Sequence, residues 1–474
     1  MIGGLKRSSS SLAIVAAAGL FAGGTLMTPA QAADLGGDCC ADLEERVAEL
    51  EATSVRSGNR KVKVKLSGQI NTAVMFWDNG DTEDVYVIDN DESSSRVRVD
   101  AVGTISPGIT AGMVLEYDVE VAGGASISES EDGGDDGSVT PGSGGFRFQA
   151  RRFNWFVQGS LGKISIGQGS TAADGALEVS FANTWVGGVG YGLATTNINA
   201  FRTQNINTAV VASLVAAGAP NPAAGNPIPL AAAGPVAASA LTWGGFGTDG
   251  DRFRENRVRY DSPTFAGFTV SGSWGEDDTT DLAVRYANEF GGLKLAAAAM
   301  WNRVDDEGTT DVEADTYGGS VALQFGNFHV QGGYAETDVE TGSGFEREHY
   351  WIAAGVQFRA STLGLSEVTV QYIQNDLSGV AVSHTAPGGF IGSADNITTT
   401  ATGSGEYTAY GIGFAQNVDA IGGTLYLSYN HHESELAGSS TVAVGAAAAA
   451  AAAGTAFDAE DEFDQVVFGM RFRY

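Results

Sequence analysis

From Lys61 onward, apolar and polar positions alternate one for one. Val62, Val64, Leu66, Gly68, Ile70, Thr72, Val74 and Phe76 form one row; Lys61, Lys63, Lys65, Ser67, Gln69 and Asn71 form the other. Successive side chains of a β-strand point to opposite faces, so this pattern predicts a strand with one apolar and one wet face. Equivalent segments begin near Ser95, Ile109, Phe146, Gly162, Phe253, Gly267, Thr280 and Leu293, and then near Val312, Asn327, Glu346, Glu367, Glu406, Gly422 and Phe463. With the first they make about sixteen, an even number as a closed antiparallel barrel of one bacterial chain requires. The last segment is the clearest. Val466, Phe468, Met470, Phe472 and Tyr474 alternate with Gln465, Gly469, Arg471 and Arg473, and Val467 is the one exception. A soluble edge strand would alternate in the same way, so the connections have to decide.

The connections alternate between long and short. Trp77 to Ser94 reads as a long loop and Ser106 to Gly108 as a turn. Val121 to Gly145 is long and acidic, Gly159 to Gly162 is a turn, Gly169 to Arg252 is very long, and Ser262 to Gly267 is short. Later turns at Phe290 to Gly292, Phe325 to Asn327 and Asp419 to Gly422 answer long stretches at Asn302 to Asp311, Gln374 to Gly405 and His431 to Glu462. Short periplasmic turns opposite long external loops are expected of a barrel in the bacterial outer membrane. The fold class predicted is all-β: a transmembrane antiparallel barrel of about 16 strands with a short amino-terminal helix in the periplasm. The alanine run from Ala446 to Ala453 falls in the last long loop and reads as a short exposed helix or disorder.

The amino terminus agrees with export. Lys6 and Arg7 precede a mostly apolar stretch from Ser11 to Met27, and Ala30-Gln31-Ala32 offers a small-x-small cleavage site, so residues 1–32 read as a signal peptide. In residues 33–58, Leu43, Val47 and Leu50 share a helical stripe, with Cys40 one turn earlier. A short coiled coil between tethered copies and a helix packed on the barrel mouth both fit. Cys39 and Cys40 are adjacent, so a bond between them would be strained. Residues 59–474 are the predicted barrel.

Composition narrows the function. Gly is frequent (66) and Pro scarce (10), and lumen-facing and lipid-facing residues average out to a mean hydropathy of −0.03. The formal charge of −31, from 26 basic and 57 acidic residues, argues against nucleic acid as a partner. Two cysteines and five scattered histidines leave little for a disulfide scaffold, a metal or acid–base chemistry, so no cofactor is expected. There is no nucleophile motif and no phosphate loop, which argues against an outer-membrane enzyme on a barrel. A mainly structural barrel that ties the membrane to the cell wall through its amino-terminal helix is the alternative to a pore.

The candidate functional residues are pore-lining ones. The longest connection, 169–252, would narrow a wide barrel if it folded inward, and its Asp174 and Glu178 are the constriction candidates. Facing them, alternation puts Arg96 and Arg98, Arg257 and Arg259, and Arg285 on the wet face, because arginine is costly on the lipid face. Arg147 and Arg151 share a face, while Arg152 breaks the phase and predicts a bulge. Arginines across from carboxylates would set up a transverse field that orients dipolar solutes. A water-filled lumen with no special site is the plainer reading. The acidic stretches Asp89 to Glu92 and Glu131 to Gly137 read as external loops, solvated or bridged to lipopolysaccharide by divalent cations. Selectivity leans weakly towards cations.

The segment Asp38 to Thr53, then Gly58-Asn59-Arg60-Lys61-Val62-Lys63-Val64, Phe76-Trp77-Asp78-Asn79-Gly80 and the Arg-Phe-Arg-Tyr end, resembles the alphaproteobacterial general porins. The resemblance implies a sixteen-stranded homotrimer passing small hydrophilic solutes and ions by diffusion, with its third external loop, here Gly169 to Arg252, folded into the pore. Better-known members lack the adjacent cysteine pair, so their amino-terminal details do not transfer.

Overall fold

Seventeen strands form one continuous antiparallel sheet that closes on itself. The structure is a computed structural model that describes residues 61–129, 147–216, 242–247, 254–276, 278–306, 312–340, 344–386, 397–444 and 455–474. The expected signal peptide and amino-terminal helix, the acidic run from Glu131 and the alanine run lie outside these residues.

The strands are β1 (Val62–Asp78), β2 (Glu83–Asp89), β3 (Arg96–Ser106), β4 (Ile109–Glu120), β5 (Arg147–Gly159) and β6 (Gly162–Ser170). After the long connection come β7 (Arg254–Asp261), β8 (Phe268–Gly275), β9 (Thr280–Phe290), β10 (Leu293–Asp306), β11 (Val312–Phe325) and β12 (Phe328–Val339). The last five are β13 (Phe345–Phe358), β14 (Ser366–Ala386), β15 (Ile397–Val418), β16 (Gly423–Val444) and β17 (Thr455–Arg473). Each pairs with its sequence neighbour except across β2 and β3, which share one partner: β2 lies along the outer half of β1 (Thr72↔Asp89) and β3 along its inner half (Gln69↔Arg96). They are two pieces of one stave, so the barrel has sixteen staves. Closure is between β1 and β17 (Ile70↔Phe472), and Tyr474 exchanges two backbone hydrogen bonds of 3.1 Å with Gly68.

The faces follow the predicted alternation. Ile70, Val270, Val330, Ile352, Val370 and Ile412 are exposed on the outer face, where lipid would cover them, and the alternate rows are buried or line the interior. Among the described residues, no helix is long and apolar enough to span a membrane. The predicted bulge exists: Glu116 pairs with Arg152 and Tyr117 with Ala150, which leaves Arg151 as the extra residue.

Three expectations about connections need correcting. Trp77 to Ser94 is not a long loop, because a turn at Asn79–Thr82 leads straight into β2. The acidic stretch Asp89 to Glu92 is not external either. Asp89, at the end of β2, and Asn90 and Glu92, in the interruption before β3, are buried where the chain leaves the wall and turns inward. Of the stretches read as loops, Gln374 to Gly405 and His431 to Glu462 are largely strand, since β14, β15 and β16 run for 21, 22 and 22 residues. A membrane needs only about 9–11 residues per strand. The excess projects beyond it and carries no apolar row to announce itself.

Candidate functional site

The long connection leaves β6 at Ser170 and crosses the interior, held to the inward rows of strand after strand. Arg257 Nε donates to the Ser170 carbonyl at 2.8 Å, Arg259 Nη1 bonds the Thr171 carbonyl, and Arg285 Nη2 reaches the Asp174 carbonyl at 2.8 Å. Farther along, the Val179 N–H donates to Ser320 Oγ (2.9 Å), and Trp351 Nε1–H donates to the Leu177 carbonyl (3.0 Å). The Asn183 N–H donates to Glu367 (2.6 Å), and Gln465 Nε2 donates to the Ala194 carbonyl (2.9 Å). Close approach is needed here. Gly192 has φ +93°, and a Cβ on it would stand 2.8 Å from the Trp351 ring.

A helix, α1 (Gln204–Ala216), then docks on β17, where the Asp461 carboxylate accepts from the Asn205 and Ile206 N–H groups, each at 2.9 Å. That satisfies donors left open at a helix start and sets a negative charge against its positive end. A short helix, α2 (Trp243–Gly247), packs against β14 and β15. Loop aromatics meet those of the wall: Phe201, ahead of α1, and Trp243 of α2 join Trp77 and Phe463, with neighbouring centroids 5.0–6.1 Å apart. A polar knot adjoins this cluster. Asn90 Nδ2 donates to the Val186 carbonyl and to Tyr426 Oη, both at 2.8 Å, and Tyr426 Oη donates to Asn71.

On the opposite side the loop stands away from the wall and leaves a cavity of about 690 Å³. Arg96, Arg151 and Arg254 line it from the wall, Asp174, Glu178, Trp185 and Tyr191 from the loop, and Asp91 and Glu92 from the inward turn. Glu116, on β4, is the focus of the wall charges: Arg98 approaches it to 3.0 Å, Arg151 to 3.1 Å, Arg96 to 3.7 Å and Arg152 to 4.0 Å. Arg151 also reaches Asp118 at 3.1 Å, Arg98 is paired with Asp100 at 2.8 Å, and Arg254 faces Asp174 at 4.0 Å. In the inward turn, outside the strands, burial pushes the Glu92 carboxyl up to about 7, and Tyr191 Oη donates to it.

Of the residues singled out from sequence, Arg96, Arg151, Asp174 and Glu178 come together at this cavity, and Arg98 sits one step along the same row. Arg257, Arg259 and Arg285 also face inward, but they spend donors on loop carbonyls and hold the loop in place. Arg147 opens β5, and its side chain is outside the described residues. Sequence reasoning missed Arg254, Asp91 and Glu92, and the wall acids Glu116 and Asp118. The last two were legible, since Glu116, Asp118 and Glu120 alternate with Leu115, Tyr117 and Val119.

The sequence profile described as Gram-negative porin matches residues 11–459. Chitoporin of Vibrio furnissii is 30% identical over 204 residues, which are 40% of this chain and 53% of that protein, so the chain spans about half the length of the curated relative it matches. Among solved structures, the anion-selective porin from Comamonas acidovorans is similar at TM-score 0.48 and 15% identity, over 87% of this chain and 100% of that one. A loop-deletion mutant of OmpT, an outer membrane protein of Vibrio cholerae, is similar at TM-score 0.47 and 12% identity over the same shares. Such a family and barrel indicate a channel rather than an enzyme. The chain belongs to the Gram-negative porin family, and its barrel is one of the bacterial outer membrane.

Proposed function

We propose that this porin is a general diffusion pore whose narrowest passage runs between the wall arginines Arg96, Arg151 and Arg254 and the carboxylates Asp174 and Glu178 of the inserted loop. The observation that carries this reading is the cavity itself, with guanidinium groups on one side and carboxylates on the other. Fixed dipoles across a narrow aqueous path favour small polar solutes, which align with the field, over apolar ones, which gain nothing for the water they displace. Wall acids neutralise part of the arginine charge. The cavity lining has five carboxyl side chains against three guanidiniums, so the passage prefers cations.

On this reading the chain is a member of the alphaproteobacterial branch and works as a homotrimer, its outer face in contact with lipid and lipopolysaccharide. The test is conductance of the purified protein in a planar bilayer under a salt gradient. Large openings in steps of three, with a reversal potential of the sign for cations, are the expected result. A silent membrane after verified insertion would overturn the reading and leave a structural barrel anchored to the cell wall.

A further inference from the structure

The net charge of the chain is strongly negative, yet one part of the lumen has the opposite sign. Near the short turns, which face the periplasm in a barrel of this kind, the inward row of β1 carries Lys63 and Lys65, and both are exposed. The adjoining stave β17 adds Arg471 and Arg473, which pair in register with Asn71 and Gln69 of the same inward row. On the other side of β1, Arg98 lies opposite Ser67, and Asp100, opposite Lys65, is tied to Arg98 at 2.8 Å. Among the described residues, Arg471 and Arg473 make no ion pair. Arg471 is only 1% exposed, and its guanidinium lies 4.9 Å over the ring of Trp185 on the loop. The basic stripe therefore begins directly under the constriction.

Above that point the sign reverses. The cavity at the loop has an excess of two carboxyl groups. The inward rows at the outer strand ends add the carboxyl groups of Glu120 on β4, Asp281 on β9 and Asp461 on β17.

We propose that the pore is a bipolar junction, an acidic outer lumen in series with a basic periplasmic vestibule, so that its ion current rectifies. Fixed wall charge fills each zone with its counterions, cations outside and anions inside. A potential positive on the external side drives both kinds of ion toward the junction, where they accumulate and conductance rises. The reverse polarity draws both away and depletes it. The effect needs zones that overlap across the lumen, so it belongs to low salt: the screening length is about 10 Å at 0.1 M and about 3 Å at 1 M.

The inference rests on the pore reading, and the experiment separates the two. Single-channel currents of the full mature protein are recorded in symmetric KCl at both polarities. Protein is added from one chamber, and its orientation is fixed by streptavidin capture of an amino-terminal biotin. The expected result in 0.1 M KCl is a roughly twofold larger conductance with the external side positive, shrinking towards unity in 1 M KCl. Replacing Lys63→Gln, Lys65→Gln and Arg473→Gln together, all at the exposed mouth, should remove most of the asymmetry while the channel stays open. A conducting wild-type channel with equal currents at both polarities in 0.1 M KCl overturns the junction and leaves the pore intact. So does an asymmetry that survives the triple substitution unchanged. A silent membrane overturns the pore reading instead.

Discussion

Along β13–β17 and the outer half of β1, the inward row carries Trp351, Tyr407, Tyr426, Phe463 and Trp77, and the loop lies directly on it, with Trp243 and Phe201 buried to 1%. Along β3–β5, the interior side chains are Arg96, Arg98, Glu116, Asp118 and Arg151, and the loop stands off across about 690 Å³. Both sides obey one alternation. What differs is whether the inward residues gain by losing water. Aromatic rings do. Guanidinium and carboxyl groups lose more hydration than a packed loop could return, so that side stays open. The passage is therefore placed by where the barrel refuses the loop as much as by where it binds it.

The largest way to break the contrast is to weaken the packed side. Trp243→Ala removes a fully buried ring that touches Phe463 and Tyr407 at 5.8 and 6.4 Å. The expected loss is about 3–5 kcal/mol of loop docking. It should appear as a lower unfolding temperature in detergent and as excess current noise in the open channel. A variant as quiet and as stable as the parent would mean that the packed side does not hold the loop.

Charge changes on the open side should be smaller and opposite in sign. Glu116→Gln takes away the carboxylate shared by four arginines and leaves the wall more positive, moving the permeability ratio towards anions by roughly twofold. Arg151→Gln removes the cation bridging Glu116 and Asp118 and should move it towards cations. Reversal potentials in a tenfold salt gradient read both. Shifts of the same sign would show that these residues act through the shape of the passage and not through its charge.

Alternation makes the staves legible, and the phase break at Arg151 and Arg152 marks the bulge in the sequence itself. It did not reveal β2. The acids Glu83, Asp84 and Asp89, with the polar interruption from Asn90 to Ser95, read as a loop, because a stave that leaves the wall for six residues carries no periodic signal. The wrong side was then assigned to Asp89, Asn90 and Glu92. Their acceptors are satisfied inside the barrel by partners distant in sequence, such as Asn197 and Tyr191, which a local reading cannot pair. The arginine side of the passage was visible as a row. Its neutralisation was not, since Glu116 gathers arginines from the strands on either side of it, β3 and β5, through register.

The smallest effect sharpens the comparison at the seam between the two sides. Glu92 sits in the inward turn with Tyr191 and Thr196 beside it, lines the open cavity, and is buried enough to hold its proton to about pH 7. Its affinity for the proton is higher in the folded protein than the ordinary carboxyl value of 4.5. Its contribution to stability is therefore fully present below pH 4.5 and is lost as pH rises through about 7. Over the same upper range the cavity gains one negative charge, so cation preference should increase modestly from pH 6 to pH 8, by less than either charge substitution on the wall. Glu92→Gln should flatten that dependence while keeping the bond to Tyr191. A reversal potential that moves with pH equally in both proteins would assign the titration to another group and place Glu92 with the packed side.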